Sequence, residues 1–379
     1  MGGVAQSACE TRGVGRTVAA VVESCWHRVP GGTAAAAVRS LVAVQEQGDY
    51  QVRGIAARHR HGPSFDEVGA LEVIHLPIGQ RLLYETWNRL RWPTFARTIG
   101  PVDLVHAAGG VVPPTGDVPL VVTLYDLAFL RFPEFFTAHG VRFMTRAANL
   151  ARDEAALVVV PSEATADACR AAGFDPARIR TVPLGAQPVP VSDDQREMIR
   201  ARYQLPEVFA LWVGTSEPRK NLERLMEAHR RACPQLPLIL VGPSGWKTEP
   251  VHGARSDAGP AVRHLGRLPD GDLAVLYDLA TALVYPSLLE GFGMPVLEAM
   301  AQGTAAITSR GTSTEEVAGP VGQLVDPYDI DALGDALASV ATEARWWEDQ
   351  SEAARLQAAT MTWEATGHAL TAVYDEVVA

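Results

Sequence analysis

Short apolar runs alternate with longer segments of helical period along almost the whole chain, a pattern expected of parallel strands covered by helices. In the first half the runs predict strands over 17–22 (TVAAVV), 51–57 (QVRGIAA), 71–76 (LEVIHL), 103–108 (DLVHAA), 120–126 (LVVTLYD), 156–162 (ALVVVPS) and 178–185 (RIRTVPLG). AQPVPVSDD, 186–194, is rich in Pro and polar residues, ends in helix-capping residues and reads as a linker. A second series predicts strands over 209–214, 238–242, 262–266, 282–287 and 305–309, with helices near 219–231, 270–279, 294–302 and 328–341. Segments 343–358 and 362–378 read as terminal helices. The expected architecture is two doubly wound α/β, Rossmann-like domains, 1–187 and 188–360, facing across a cleft and followed by a C-terminal helix over 361–379.

Composition agrees with two folded domains. The 379 residues exceed one ordinary core, and 47% hydrophobic with 20% charged residues is usual for a globular protein. A net charge of −11 argues against a nucleic-acid binder, which needs clustered Lys and Arg. Cys9, Cys25, Cys169 and Cys233 are scattered with no C-x-x-C pair, so neither a disulfide framework nor a zinc site is expected. The first sixteen residues lack the apolar core of a signal peptide, and no apolar run approaches the ~20 residues that span a bilayer. A reduced, cytoplasmic protein is the expectation, with any membrane contact peripheral.

Chemistry concentrates in two stretches. In LLEGFGMPVLEAMAQG, 288–303, a strand ends near Ser287, Gly291 and Gly293 make the connection, and Pro295 suits the first helical position of a helix over Met294–Gln302 that Gly303 stops. The exposed N–H groups of that helix start favour an anion, at the carboxyl end of a parallel strand where such sheets bind ligands. Glu290 before the helix and Glu298 one turn inside it can face the same mouth. Carboxylates repel phosphate but accept hydrogen bonds from sugar or ribose hydroxyls, so the pattern fits a ligand carrying both, such as a sugar nucleotide. Either glutamate alone could instead serve the helix dipole. In VGTSEPRKNLERLMEA, 213–228, Gly214 ends a strand and Arg219, Lys220 and Asn221 stand at or just inside a helix start, where adjacent Arg and Lys suit a diphosphate.

These residues carry a resemblance. YPSLLEGFGMPVLEAMAQG is similar to the E-x7-E signature of retaining glycosyltransferases of family 4, which have the GT-B fold. VGTSEPRKNLERLMEA resembles the family's phosphate-binding segment, and VVPSEATADACRAAGFDPARIRTVPLGA the end of its N-terminal domain. The likeness continues through HLGRLPDGDLAVLYDLATALVYPS and EEVAGPVGQLVDPYDIDAL, covering 155–342 well and the first 150 residues more loosely.

The resemblance implies transfer of a sugar, with retention, from a UDP-, GDP- or other nucleotide-diphosphate sugar to an unidentified hydroxyl acceptor, without cofactor or metal. It places Arg219 and Lys220 on the donor diphosphate, Glu298 on the ribose and Glu290 on the sugar. Gly214 and the backbone of Phe292, Gly293 and Met294 would line the sugar and phosphate site, with Arg267 and Leu268 near the base. HRVPGGTAAAAVRSL resembles the glycine loop after the first strand, which puts Gly31 and Gly32 beside the diphosphate. The terminal helix would cross back onto the N-terminal domain.

The chain departs from the family at Tyr125-Asp126-Leu127, where His-Asp-Leu is usual. Tyr125 and Asp126 remain catalytic candidates, but a phenol titrating near ~10 cannot replace imidazole as a proton carrier. The leaving phosphate is thought to deprotonate the acceptor in this family, which would spare activity. A catalytically weak sugar-nucleotide-binding protein is therefore the alternative, with a phosphorylase or sugar-nucleotide synthase of the same fold as a third reading. His106 could be a partial substitute for the missing imidazole, although strand-end histidines are more often structural.

Asp270/Asp272 and Asp329/Asp331 match D-x-D but sit at helix starts, where capping explains them better than a metal. Gly13-Val14-Gly15 half-mimics a dinucleotide fingerprint on the wrong side of its strand. RLLYETWNRLRWPTFAR, 81–97, reads as a helix with Leu83, Trp87 and Leu90 toward the core. A solvated helix bordering the acceptor cleft is its favoured reading, and docking on anionic lipid the alternative.

Overall fold

The computed structural model describes residues 15–27, 31–94, 99–243 and 261–379. Cys9, the Gly13-Val14 start of the false fingerprint, Arg28 to Pro30 of the glycine loop and Phe95 to Arg97 lie outside the described residues.

Seven parallel strands come first, β1 (Arg16–Val21), β2 (Tyr50–Ala56), β3 (Glu72–His75), β4 (Leu104–Ala107), β5 (Leu120–Thr123), β6 (Leu157–Val160) and β7 (Ile179–Thr181), in the sheet order β3-β2-β1-β4-β5-β6-β7. Six more follow: β8 (Ala210–Val213), β9 (Leu238–Val241), β10 (Val262–Gly266), β11 (Ala282–Tyr285), β12 (Ala306–Ser309) and β13 (Gln323–Val325), ordered β10-β9-β8-β11-β12-β13. Both sheets are doubly wound. Every residue of β4, β5, β6, β8, β9, β11 and β12 is buried, which is why these strands read as unbroken apolar runs and not as alternating ones.

Two compact units can be separated, Met1–Val121 with Gly367–Ala379, and Val122–Thr366. In the first, β1 pairs with β2 and with β4, so the strand order reverses at β1. His106, at 1% exposure, shares a 2.7 Å hydrogen bond between its Nδ1 and the Tyr374 hydroxyl. Burial depresses its pKa to about 3. Its place is structural. Asp375, also on the terminal helix Trp363–Val378, accepts from the Tyr50 hydroxyl at 2.8 Å.

Several local expectations need correction. The helix expected from 219 begins at Leu222, after a 3-10 turn over Pro218–Lys220 and a left-handed Asn221 (φ 59°), so Arg219 and Lys220 stand before it. Pro295 takes the second helical position, because Met294 follows directly on the Gly293 cap. Helix Gln80–Glu85 widens into a π turn over Thr86–Leu90 and ends at left-handed Arg91. That wider turn shifts the period, leaving Leu83 and Trp87 buried but Leu90 70% exposed. Segment 343–358 breaks into Ala344–Asp349 and Ser351–Ala358. Asp329 caps its helix by accepting from Asp331 and Ala332 N–H, whereas Asp272 binds Arg202 and Tyr203 and does not cap. Strand β13 escaped the sequence pattern because it has only three residues. Among the described residues no helix is long and apolar enough to cross a membrane.

Candidate active site

Within the second sheet the strand order reverses between β8 and β11, which pair directly through Ala210 with Ala282 and Leu211 with Leu283. Loops leaving the carboxyl ends of these two strands diverge around the switch point, where open α/β sheets place ligands. One carries Arg219 and Lys220, the other Glu290. Arg219 C=O accepts from Leu288 N–H at 2.9 Å, and the Asn221 amide donates to Pro286 C=O at 3.0 Å and Pro327 C=O at 2.7 Å. The left-handed conformation of Asn221, readily tolerated by asparagine, gives the tight turn these tethers require.

This anchoring brings four charges together. Glu290 accepts from Arg219 Nη1 at 2.7 Å and from Lys220 Nζ at 2.7 Å, while Arg219 Nη2 donates to Glu217 at 2.6 Å. The Tyr285 hydroxyl donates to Glu290 at 3.0 Å and accepts from Lys220. The side chains of Arg219, Lys220 and Glu290 are only 15%, 11% and 9% exposed. Burial opposes ionisation of Glu290, but the neighbouring Arg219 and Lys220 outweigh it and hold the carboxyl down at about 2. Burial likewise pulls Lys220 below its ordinary value against the attraction of Glu290, and pushes the Tyr285 phenol well up with help from the same carboxylate.

Two acids neutralise two bases, yet the donors are not exhausted. Of five N–H donors on Arg219, three go to Leu289 C=O, Glu290 and Glu217, and of three on Lys220, two go to Tyr285 and Glu290. Two donors of Arg219 and one of Lys220 therefore have no partner among the described residues.

Helix Met294–Ala301 opens beside it. Gly293, its cap, has φ 112°, and a Cβ there would lie 2.7 Å from Thr314 Cγ2, so only glycine makes this turn. Phe292 is buried and Met294 begins the helix. Glu298, one turn inside, accepts from the Tyr277 hydroxyl at 3.2 Å. Gly214 follows β8, and its carbonyl would meet a Cβ on Gly242 at 1.9 Å. Arg267 is exposed after β10 with Leu268 beside it, and Gly31 and Gly32 open helix Gly31–Gln47 in the first unit. Asp126 accepts from Ala128 N–H at 2.9 Å, and the Tyr125 carbonyl lies 3.3 Å from Thr165 Oγ1, whose single proton has a nearer acceptor in Gly291 C=O at 3.1 Å. Among the described residues no group of three or more His, Cys, Asp or Glu side chains is placed to hold a metal.

Comparison with known proteins identifies the family. Residues 195–357 match the model of glycosyl transferases group 1, and 30–188 that of glycosyltransferase family 4. O-antigen chain mannosyltransferase B of Escherichia coli is 33% identical over 64% of this chain and 67% of its own length. The chain belongs to glycosyltransferase family 4. It is also 32% identical to the serotype-specific mannosyltransferase WbdA of Escherichia coli, over 47% of the chain but only 23% of that protein's length. The fold is shared with Anabaena HepE in complex with UDP and glucose (TM-score 0.74, 19% identity, 95% of this chain and 100% of that one). It is shared too with WaaG, a glycosyltransferase involved in lipopolysaccharide biosynthesis (TM-score 0.70, 18% identity, 95% and 99%). This glycosyltransferase thus has the GT-B fold with two parallel-sheet α/β domains.

Sequence reasoning missed Tyr285 and Glu217, which complete the charged cluster. Both lay inside the quoted motifs. In the sequence Tyr285 belongs to a strand and Glu217 to a turn, and nothing in their spacing shows that they meet Lys220 and Arg219.

Proposed function

We propose that the enzyme transfers a hexosyl group, mannosyl in the first instance, from a nucleotide-diphosphate sugar to a hydroxyl acceptor with retention. The observation that carries the reading is the Arg219–Lys220–Glu290 cluster at the switch point, which keeps three N–H donors available beside an ionised carboxylate. Arg219 and Lys220 hold the diphosphate and take up charge as the glycosidic bond breaks, which lets transfer proceed without a metal. Glu290 receives donor-sugar hydroxyls and Glu298 the ribose. Gly31, Gly32, Gly214, Phe292, Gly293 and Met294 line the phosphate and sugar, while Arg267 and Leu268 border the base. Mannosyl is preferred because the relatives named above are mannosyltransferases. HepE, described with UDP and glucose, supports a nucleotide-sugar donor. The acceptor is a hydroxyl compound, and peripheral membrane contact through 81–97 is supported by exposed Leu82, Leu90 and Trp92.

Calorimetric titration with UDP, GDP, ADP and TDP, followed by the sugar-linked forms of whichever binds and an assay of nucleotide release, tests this. Binding with release supports the transferase. Binding without release under every acceptor condition favours the weak-catalyst alternative that Tyr125 motivates, and no binding of any nucleotide overturns the reading.

A further inference from the structure

The loop that carries Glu290 is held from outside its own strand and helix. Gly291 C=O accepts from two hydroxyls, Ser162 Oγ at 2.7 Å and Thr165 Oγ1 at 3.1 Å. Ser162 caps helix Glu163–Ala171, which follows β6, and Thr165 lies in its first turn. Ser162 Oγ also accepts from Thr165 N–H at 3.2 Å, so a single hydroxyl caps that helix and grips the glycosyltransferase loop. At Gly291 a Cβ would stand 1.9 Å from the Tyr125 carbonyl, so the loop backbone nests directly on the 125–126 segment.

A second hold comes from helix Ser313–Ala318. At its start, Ser313 Oγ donates to Glu290 C=O at 2.9 Å. One turn later the Glu316 carboxylate accepts from Glu163 N–H at 2.9 Å and Ala164 N–H at 2.7 Å, the first two N–H groups of the helix that Ser162 caps. A carboxylate at a helix N-terminus gains from both hydrogen bonds and the dipole. Nothing in the local structure of helix Ser313–Ala318 requires Glu316 to reach there. The effect is to fix, through one short helix, the element that grips Gly291 and the element that grips Glu290.

We propose that Glu316, with Ser162 and Thr165, is a positioning group that sets the loop backbone at Gly291, and through it the Glu290 carboxylate, for the donor sugar. Glu316 acts through the loop without touching the reacting atoms. The inference rests on the donor-sugar role of Glu290, and its test separates the two. Deleting the carboxylate leaves two helix N–H groups to water and lets the turn with its two hydroxyls drift from Gly291. The turn that carries Arg219 and Lys220 is also held outside 288–294, by the Asn221 amide on Pro286 C=O and Pro327 C=O. The clamp therefore predicts a loss confined to sugar-dependent steps.

Hydrogen exchange read by mass spectrometry on Glu316→Ala, Glu316→Gln and the double variant Ser162→Ala/Thr165→Val tests the clamp without any ligand. Exchange over 288–294 should accelerate about tenfold or more in Glu316→Ala and in the double variant, and less in Glu316→Gln, whose amide oxygen still accepts one N–H. Strand β8 should be unaffected. Titrating the same proteins should leave the dissociation constant of free nucleoside diphosphate within about twofold and lower turnover of the sugar nucleotide about tenfold, the factor that accompanies loss of roughly one hydrogen bond. Unchanged exchange over 288–294 overturns the clamp, as does acceleration spread evenly through the sheet, which marks a purely structural role. Accelerated exchange with unchanged turnover overturns the positioning of Glu290. Failure of the wild type to bind nucleotide overturns the donor site alone, because the exchange result stands by itself.

Discussion

Glu290 accepts from Lys220 Nζ at 2.7 Å, so the residue expected at the donor sugar is also a counterion of the residue expected at the donor diphosphate. An incoming diphosphate competes with Glu290 for the same cations. Glu290→Gln keeps the shape and removes the competing charge. Free nucleoside diphosphate should therefore bind as well as to the wild type, or up to about tenfold tighter, while the extra affinity given by the sugar disappears. Calorimetry with nucleotide and sugar nucleotide in parallel checks this. Equal weakening of both ligands would contradict the division of labour.

The same carboxylate makes stability depend on acid. Its pKa is about 2 in the folded protein, below the ordinary 4.5, because Arg219 and Lys220 outweigh the cost of burial. A depressed carboxyl contributes stability that is fully present above 4.5 and lost as pH falls from there toward 2. Wild type should exceed Glu290→Gln in stability by a constant margin above the window, on the order of 3 kcal/mol for one member of a buried pair, and the margin should shrink within it. Urea unfolding across that range measures the margin. A margin that stays flat to the acid end would show that Glu290 is not held ionised by its neighbours.

How far this site could be read from the chain depends on how local each part is. The β11 connection was legible because Gly291, Gly293 and Pro295 announce their backbone geometry within five residues. Strand order was not, yet the doubly wound alternation of runs led to both sheets, since strands buried on two faces have no polar positions to obscure them. Strands end earlier than the pattern predicts, at Thr123 and Tyr285, because Leu124, Tyr125 and Pro286 prolong the apolar run beyond the sheet. Trp87 and Leu90 show the limit of periodicity, because no residue pattern signals that the helix will widen into a π turn between them. Glu316 was out of reach for another reason. Its partners, Glu163 and Ala164, lie more than a hundred residues earlier.

His106 gives an independent test of the first unit. Burial lowers its pKa to about 3 from 6.5, so the folded protein keeps the ring neutral while the unfolded chain protonates. Stability is highest above 6.5 and falls as pH drops from there toward 3. The slope approaches about 1.4 kcal/mol per pH unit for one such group. His106→Gln, with no titrating ring, should be less stable near neutrality and flatter across the window. Parallel slopes for the two proteins in chemical unfolding would mean that His106 protonates without cost.

Gly291→Ala probes the nested loop. The added Cβ would fall 1.9 Å from the Tyr125 carbonyl, which is backbone and cannot swing aside. We expect a loss of about 1–3 kcal/mol, the usual range for overpacking, with turnover falling further than stability because the shift is felt at Glu290. Thermal unfolding and nucleotide-release rates on one preparation give both numbers. A variant with wild-type stability and rate would show that the loop is not seated against Tyr125.

Glu298 should behave differently from Glu290, and the contrast is the sharper test of the whole assignment. It is half-buried on helix Met294–Ala301, accepts from the Tyr277 hydroxyl and makes no ion pair with Arg219 or Lys220. Removing it disturbs neither the cation cluster nor the loop tethers, so Glu298→Ala should retain its fold. If the carboxylate receives ribose hydroxyls, the loss is one charge-assisted hydrogen bond, about 1.5–3 kcal/mol, or roughly ten- to a hundredfold in affinity. That loss should be equal for free nucleotide and for sugar nucleotide, since both carry the ribose, whereas Glu290→Gln should separate the two ligands. A dissociation constant unchanged for both would remove Glu298 from the site and leave Arg219, Lys220 and Glu290 to account for donor binding alone.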